Sequence, residues 1–325
     1  MNLTILYRGP LSSCNYACSY CPFAKKTENK QEHEADRAQL ERFVRRVGEL
    51  SDLQISVLFT PWGEALIHKR YQNALAELTA MSHVQKVAIQ TNLSCSLDWV
   101  MSCKVEKLGI WATYHPGETE RKLFLANCSR LDALNVGYSV GVVGLKEHFS
   151  EIRQIRQLLS EQIYLWVNAY KREENYYSDS DVLFLESVDK HFALNNQYHA
   201  SIGRACRCGA SVVSIDGQGS MRRCHFIPTI IGNIYDDNFQ ANLKESPCTN
   251  RQCGCHIGYV HMNDLGLYEV FGEGVLERTL KRNFYEVDGF ACIGARRWLR
   301  DRWCCVPLLP LGLRPRFAYV SFRGL

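Results

Sequence analysis

The sequence lacks the features that mark exported and membrane-spanning chains. Residues 1–13 contain no basic leader followed by a long apolar run, so we expect no signal peptide. No stretch reaches the roughly eighteen consecutive apolar residues that a membrane-spanning helix needs. Internal repeats and long low-complexity linkers are also missing from the sequence, which excludes a repeat array. Together these absences predict a cytoplasmic protein with no membrane partner.

A strong excess of charge of one sign is missing as well. The chain has 38 Lys and Arg against 34 Asp and Glu, a formal net charge of +4. Residues 278–325 contain ten of the basic and three of the acidic residues, so the remainder of the chain is mildly acidic. Nucleic-acid-binding domains usually carry a basic stripe or patch. We therefore expect no nucleic-acid partner.

Cysteine, in contrast, is abundant, with 15 residues in a chain of 325. Without an export signal, so many thiols indicate a reducing compartment and metal ligation rather than disulfide bonds. Cys14, Cys18 and Cys21 have the spacing C-x3-C-x2-C, and glycine, proline and serine around them predict a loop. Metal centres of this kind usually have four protein ligands, so three thiols suggest a position left open for chemistry. The alternative is a zinc half-site completed by His33.

Apolar runs that are typical of strands alternate with amphipathic stretches in the first part of the chain. Between the runs, Leu40, Phe43 and Val44 begin an apolar face with helical spacing. Six strands that alternate with helices predict an α/β fold, a partial (β/α)6 TIM-like barrel over residues 1–195. Reactive residues of such barrels follow the carboxyl ends of strands, as the three cysteines do. The six strand-like runs cover 3–7, 54–59, 86–90, 108–113, 137–143 and 163–168.

The pattern changes after residue 195. Residues 196–277 are rich in cysteine and glycine and contain only short strand-like pieces, which predicts a small Cys-rich C-terminal domain. Residues 278–325 keep no helical or strand period for long, so we expect a basic, irregular, poorly packed tail. The remaining cysteines are predicted to be buried apolar residues or, in the tail, have no assigned role: Cys95, Cys103, Cys128, Cys292, Cys304 and Cys305.

Several motifs, in their order along the chain, resemble those of the radical S-adenosylmethionine (radical SAM) enzymes. The cysteine loop after the first strand, with Tyr20 before its last cysteine, is similar to their cluster-binding loop. In PWGEAL, Gly63 and Glu64 resemble the end of their Gly-Gly-Glu motif, with Trp62 replacing its first glycine. QTNLS, which contains Asn92, resembles the Thr-Asn-Gly motif after the third strand.

The resemblance implies a catalytic [4Fe-4S] cluster on Cys14, Cys18 and Cys21, with S-adenosyl-L-methionine on the open iron. One electron would cleave this cofactor to a 5′-deoxyadenosyl radical, which abstracts a hydrogen atom from a substrate. Flavodoxin or ferredoxin would be suitable external electron donors. The residues implied to contact the cofactor are Tyr20, Gly63, Glu64, Asn92, Ser139 and Asn168. From the residues alone, Glu64 could instead be a solvated loop acid, Asn92 a turn residue and Asn168 a strand-end cap.

A second cysteine set resembles the SPASM/Twitch extensions of peptide-modifying radical SAM enzymes. Cys208, Gly219 and Cys224 give the spacing C-x10-G-x4-C, and Cys248, Cys253 and Cys255 follow. The full SPASM ending is absent from this stretch, so the resemblance implies one auxiliary [4Fe-4S] cluster rather than two. Cys206 lies close to Cys208 but fits the spacing less well. The alternative is a structural zinc site built from cysteine pairs and the nearby histidines His225, His256 and His261.

The function implied by the resemblance is that of a radical SAM enzyme acting on a peptide or small protein. The alternative from a different class is a non-enzymatic iron–sulfur electron carrier or a zinc-stabilised binding module. The PWGEAL and QTN motifs at strand ends favour the enzyme, because a carrier has no need of them.

Overall fold

The computed structural model describes residues 1–23 and 26–281, which contain strands β1–β11 and helices α1–α8. The strands are β1 (Asn2–Arg8), β2 (Gln54–Phe59), β3 (Val84–Thr91), β4 (Leu108–Tyr114), β5 (Gly137–Val143), β6 (Leu165–Asn168), β7 (His199–Ala200), β8 (Val212–Asp216), β9 (Ser220–Arg222), β10 (Ile230–Asn233) and β11 (Gln252–Cys253). The helices are α1 (Lys30–Glu49), α2 (Lys69–Ala80), α3 (Arg121–Ala133), α4 (Phe149–Leu158), α5 (Asp179–Val188), α6 (Phe192–Asn195), α7 (His256–Tyr259) and α8 (Leu267–Phe271).

Nine strands form one sheet in the order β10-β9-β8-β1-β2-β3-β4-β5-β6. Strands β1 to β6 pair in parallel with their sequence neighbours, and helices connect most of them. This arrangement confirms the predicted α/β fold with a partial barrel. The six predicted strands correspond to β1–β6 within two residues at each end.

The Cys-rich segment is joined to the barrel sheet. β8 pairs in parallel with β1, from Thr4 opposite Val212 to Arg8 opposite Asp216. β9 and β10 then extend the same sheet with antiparallel pairing. Residues 1–281 form one compact unit, so the proposed division near residue 195 separates sequence patterns that share a continuous sheet.

The two faces of the sheet bury different sets of side chains. Because side chains alternate along a strand, Ile5 and Val57 point outward and join the core beneath the helices. Leu6, Leu58 and Trp166 point inward and pack with apolar residues of the Cys-rich segment. The side chains at the inner carboxyl ends of the strands are therefore held on a rigid frame.

The segment around Glu277 and Arg278 packs at the amino-terminal end of the barrel. Glu277 pairs with Lys86 of β3 at 2.8 Å, and its backbone carbonyl accepts a hydrogen bond from the Ser139 hydroxyl. The Arg278 guanidinium lies 4.3 Å from the ring centroid of Trp166 and is almost fully buried. The start of the predicted tail thus belongs to the packed core.

Two further expectations concern the tail and membrane insertion. The predicted poor packing of the tail falls, from residue 282 onward, outside the described residues, as do Cys292, Cys304 and Cys305. Within the described part of the chain, no helix is both long and apolar enough to cross a membrane.

Candidate functional site

The three close cysteines line a single cavity at the carboxyl ends of β1, β2 and β3. This cavity has a volume of about 120 Å³. The loop after β1 contributes Cys14, Cys18 and Cys21, and the loops after β2 and β3 contribute the two other motifs. Its lining residues that the sequence motifs predicted are Cys14, Cys18, Cys21, Gly63, Glu64 and Asn92.

Gly63 brings the loop after β2 against the cysteine loop. A Cβ atom added at Gly63 would lie 1.6 Å from the backbone oxygen of Ser13, so no larger residue fits without moving one of the loops. The next amide, that of Glu64, donates a hydrogen bond to the same oxygen at 3.0 Å. Glycine is therefore required here by close backbone approach, directly beside Cys14.

Glu64 is buried and joins the loops after β2 and β3. Its carboxylate accepts hydrogen bonds from the Thr91 hydroxyl at 2.8 Å, the Asn92 amide at 2.5 Å and the Leu66 amide at 3.0 Å. Burial raises the pKa of Glu64, although these three donors act in the opposite direction. Glu64 is therefore not a solvated loop acid, because its carboxylate is buried and accepts three hydrogen bonds from the protein.

Asn92 connects the loop after β3 to the cysteine loop. Its side-chain amide donates to the side chain of Asn15 at 2.9 Å and lies 3.9 Å from Cys14 Sγ. Its side-chain oxygen accepts from the Ser94 amide at 3.0 Å, which is an Asx turn. Asn92 is thus a turn residue and, in the same geometry, a neighbour of the first cysteine.

His115 lines the cavity, and Tyr20, which does not, contacts the His115 ring from outside the lining. The Tyr20 hydroxyl lies 2.9 Å from His115 Nδ1, and Cys18 Sγ lies 3.4 Å from the same nitrogen. Burial lowers the pKa of His115 to about 4, so the ring is neutral near pH 7. His115 directly follows β4, a strand end where the sequence allows a contact to substrate or cofactor.

The thiols of this loop suit an iron–sulfur cluster in their chemistry. Burial raises the pKa of Cys14 and raises that of Cys18 to about 11, so both favour the protonated form when no metal is bound. Among the described residues, no group of three or more His, Cys, Asp or Glu is arranged to hold a single metal ion. The three thiols that line this cavity are the kind of donor set that binds iron–sulfur clusters.

Ser139 and Asn168 do not line this cavity. The Ser139 hydroxyl lies near the amino-terminal end of β5, between the Glu277 carbonyl and the indole nitrogen of Trp166 at 3.2 Å. Asn168 ends β6 with an exposed side chain, and its backbone carbonyl accepts from the Gly144 amide at 2.9 Å. Of the predicted cofactor contacts, the structure thus places Gly63, Glu64 and Asn92 in the cavity lining, and Tyr20, Ser139 and Asn168 outside it.

A second cavity, small and apolar, is lined by five cysteines. Its volume is about 20 Å³, and Phe226, Ile227 and Met262 provide apolar walls. The Cys208 thiol lies between the thiols of Cys206 and Cys224. Its hydrogen bonds with them lower the pKa of Cys206 and of Cys224 to about 7. No disulfide joins the cysteines in the described part of the chain. The five cysteines are Cys206, Cys208, Cys224, Cys248 and Cys253.

The structure brings Cys206 into this second cavity and leaves Cys255 outside its lining. Cys206 forms an antiparallel bridge with Met262, which fixes its position beside Cys208. Cys255 directly precedes α7 and is exposed.

The three histidines of the zinc alternative also lie outside the lining of the second cavity. His225 Nε2 lies 2.9 Å from the Thr60 hydroxyl, and His261 Nδ1 lies 2.8 Å from the Tyr268 hydroxyl. His256 is buried among aromatic rings, including that of Trp111. A mixed Cys/His zinc site is therefore not what this geometry favours.

The comparison of sequences finds no matching family model and no matching curated protein. The comparison of structures does find relatives in fold. Streptococcus suis SuiB aligns with a TM-score of 0.50 at 14% identity, over 75% of this chain and 66% of that chain. The structure of anSMEcpe with bound AdoMet and Cp18Cys peptide aligns with a TM-score of 0.48 at 15% identity, over 74% of this chain and 82% of that chain.

BtrN in complex with AdoMet and 2-DOIA aligns more weakly, with a TM-score of 0.37 at 17% identity, over 75% of this chain and 88% of that chain. SuiB and anSME are radical SAM enzymes of the SPASM/Twitch type, and BtrN is a radical SAM enzyme. Of these three, the SuiB likeness alone is close enough to bear on architecture, and at 14% identity it bears on nothing else. The described chain therefore has the fold of the radical SAM enzymes, as the resemblance of its motifs implied.

Proposed function

We propose that this chain is a radical SAM enzyme. The observation that carries the proposal is the shared cavity of Cys14, Cys18 and Cys21 with the loops of Gly63 and Asn92. These loops are far apart in sequence, and an electron carrier would not need them around its cluster. A cluster held by Cys14, Cys18 and Cys21 would supply the electron for reductive cleavage of S-adenosyl-L-methionine.

The protein's own residues position and enclose this chemistry. Cys14, Cys18 and Cys21 would hold the cluster and leave one iron open for the cofactor. Gly63 allows the loop after β2 to approach the cysteine loop, and Glu64 fixes that loop to the end of β3. Exclusion of water from this cavity in the loaded enzyme would protect a reactive radical from side reactions.

We propose one auxiliary [4Fe-4S] cluster in the second cavity. Cys208 and Cys224 would be two ligands, and the other two would come from Cys206, Cys248 and Cys253. This choice replaces Cys255, which the spacing had included, with Cys206, which lies in the cavity lining. Four protein thiolates would leave no open iron, so this cluster would serve electron transfer or structure.

The substrate that we propose is a peptide or small protein, because the extension resembles those of peptide-modifying enzymes. Flavodoxin or ferredoxin would supply the electron, and the protein would act in the cytoplasm. Two structures of anSMEcpe contain a peptide, Cp18Cys in one and Kp18Cys in the other. Those peptides belong to that enzyme, and co-expression of this chain with candidate peptides, followed by mass spectrometry, tests the substrate class.

The decisive experiment measures 5′-deoxyadenosine after dithionite reduction of the iron-reconstituted protein. We expect cofactor cleavage by the wild type and none by the Cys14→Ala/Cys18→Ala/Cys21→Ala variant. That variant should keep about four irons of the roughly eight in the wild type. Cys103→Ala is the matched control, because Cys103 is half-buried and lines neither cavity.

Two outcomes would contradict the proposal. If the fully loaded, reduced wild type never forms 5′-deoxyadenosine, with or without candidate substrates, the chain is an iron–sulfur carrier rather than an enzyme. If the triple variant retains zinc and no iron, the second cavity holds zinc and the auxiliary cluster is disproved.

A further inference from the structure

A larger cavity lies beside the cysteine cavity, beyond the carboxyl ends of β1 and β8. Its volume is about 430 Å³, within the range of ligand-binding pockets. Arg8 ends β1 on the inner face of the sheet, and Asp216 occupies the corresponding position on β8. Apart from Trp62, the motif residues discussed above do not line this cavity.

Arg8 has no acidic partner among the described residues. Its Nε donates to the Thr60 carbonyl at 2.7 Å, and its guanidinium lies 4.1 Å from the ring centroid of Trp62. Its two terminal nitrogens make no hydrogen bond within the described part of the chain. Burial lowers the pKa of Arg8 to about 10, which still leaves it charged near pH 7. The guanidinium therefore keeps its charge at the cavity wall, where a negatively charged ligand can pair with it.

The other charged groups that line the cavity compensate each other. Arg222 pairs with Asp216 at 2.8 Å, and the Asp216 carboxylate also accepts from the amides of Gln218 and Ser220. Among the described lining residues, Arg8 is therefore the one charged group whose charge is not balanced. One uncompensated positive charge matches a single carboxylate.

Trp62 connects this cavity to the cysteine cavity. Its side chain lines both, and it is held between Arg8 on one side and Phe23, whose ring centroid is 4.4 Å away, on the other. Trp62 is also the residue that departs from the Gly-Gly-Glu motif. A ligand bound at Arg8 would therefore lie one side chain away from the cysteine cavity.

We propose that this cavity, defined by Arg8 and Trp62, binds the substrate through a carboxylate group of a peptide. The inference rests on the proposed function, since it assigns the substrate a place beside the radical-forming site. The terminal nitrogens of Arg8 donate to the carboxylate, and the Trp62 ring forms an apolar wall for the adjoining residues. The carboxylate comes either from an Asp or Glu side chain or from a free C-terminus.

Binding of defined peptides to the unreduced holoprotein tests the proposal by titration calorimetry. The probes are short N-acetylated alanine peptides: one with a central Glu and an amidated end, one without Glu and with a free C-terminal carboxylate, and one with a central Gln and an amidated end. We expect at least one of the two acidic peptides to bind about tenfold more tightly than the Gln peptide, a difference of about 1.4 kcal/mol. The tighter of the two identifies the source of the carboxylate.

Arg8→Gln should reduce the affinity for the preferred acidic peptide to that of the Gln peptide. Arg42→Gln is the matched control, because Arg42 also stacks on an aromatic ring, 3.6 Å from the centroid of Tyr235, but lies outside this cavity. Arg8→Lys keeps the charge and should have an intermediate affinity, which keeps the test valid if Arg8→Gln does not fold.

Three results would overturn the inference. The first is that neither acidic peptide binds more tightly than the Gln peptide. The second is that the preference for the acidic peptide persists in Arg8→Gln, or persists at full strength in Arg8→Lys. The third is that Arg8→Gln weakens binding of S-adenosyl-L-methionine while the peptide preference remains. Because the measurement needs no reduction and no turnover, its failure is distinct from a failure to cleave the cofactor.

Discussion

Replacement of Gly63 by alanine tests the close approach of the two loops most directly. The added Cβ would lie 1.6 Å from the Ser13 oxygen, whereas ordinary contacts begin at 3.4 Å, so the backbones must separate by roughly 1.8 Å. That separation also breaks the hydrogen bond from the Glu64 amide to Ser13. Overpacking costs about 1–3 kcal/mol and the lost hydrogen bond about 1 kcal/mol, so we expect a destabilisation of about 2–4 kcal/mol.

The assay is urea denaturation of Gly63→Ala, together with its iron content after reconstitution. Because the displaced loop carries Cys14, we expect the variant to retain less iron than the wild type. Gly48→Ala is the control: Gly48 lies in α1, and its added Cβ would meet the flexible end of Met81 at 3.4 Å. This control should be neutral or stabilising by up to about 1 kcal/mol. Unchanged stability and full iron content in Gly63→Ala would refute the argument.

Three further predictions concern other parts of the chain. Burial raises the pKa of Glu28, but hydrogen bonds from Ser13 and Ser12 outweigh it and lower the pKa from 4.5 to about 2. The stability that the Glu28 carboxylate contributes should therefore be present above about pH 4.5 and be lost as the pH falls toward 2. The free energies of unfolding of Glu28→Gln and the wild type should accordingly converge in acid. A difference in unfolding free energy that stays constant with pH would contradict this. Cys206→Ala should change the electron paramagnetic resonance spectrum of the auxiliary cluster, whereas Cys255→Ala should leave it unchanged; the reverse result would restore the ligand set favoured by spacing. Arg278→Ala should cost about 2–4 kcal/mol in denaturation, because its buried side chain fills a space between aromatic rings, and a loss below about 0.5 kcal/mol would show that this packing is dispensable.

The sequence by itself determined the parallel barrel and the place of the cysteine loop. Apolar runs such as 54–59 and 137–143 correspond to β2 and β5 because burial on both faces of a parallel strand needs a nearly continuous apolar run. The meeting of the loops after β2 and β3 was also predictable, because the carboxyl ends of parallel strands lie at one edge of the sheet. Gly63 and Asn92 were therefore expected near the cysteines.

Only the tertiary structure decided which polar groups meet across long sequence separations. Ser139 is one of the cofactor contacts that the resemblance implied, yet its hydroxyl donates to the carbonyl of Glu277, 138 residues later. Cys206 fits the spacing less well than Cys255, but its bridge to Met262 places it in the cavity of the other cysteines. Arg8 looks ordinary in the sequence, and its isolation from carboxylates follows from the pairing of Asp216 with Arg222. Such contacts depend on how distant segments pack, and local periodicity contains no information about them.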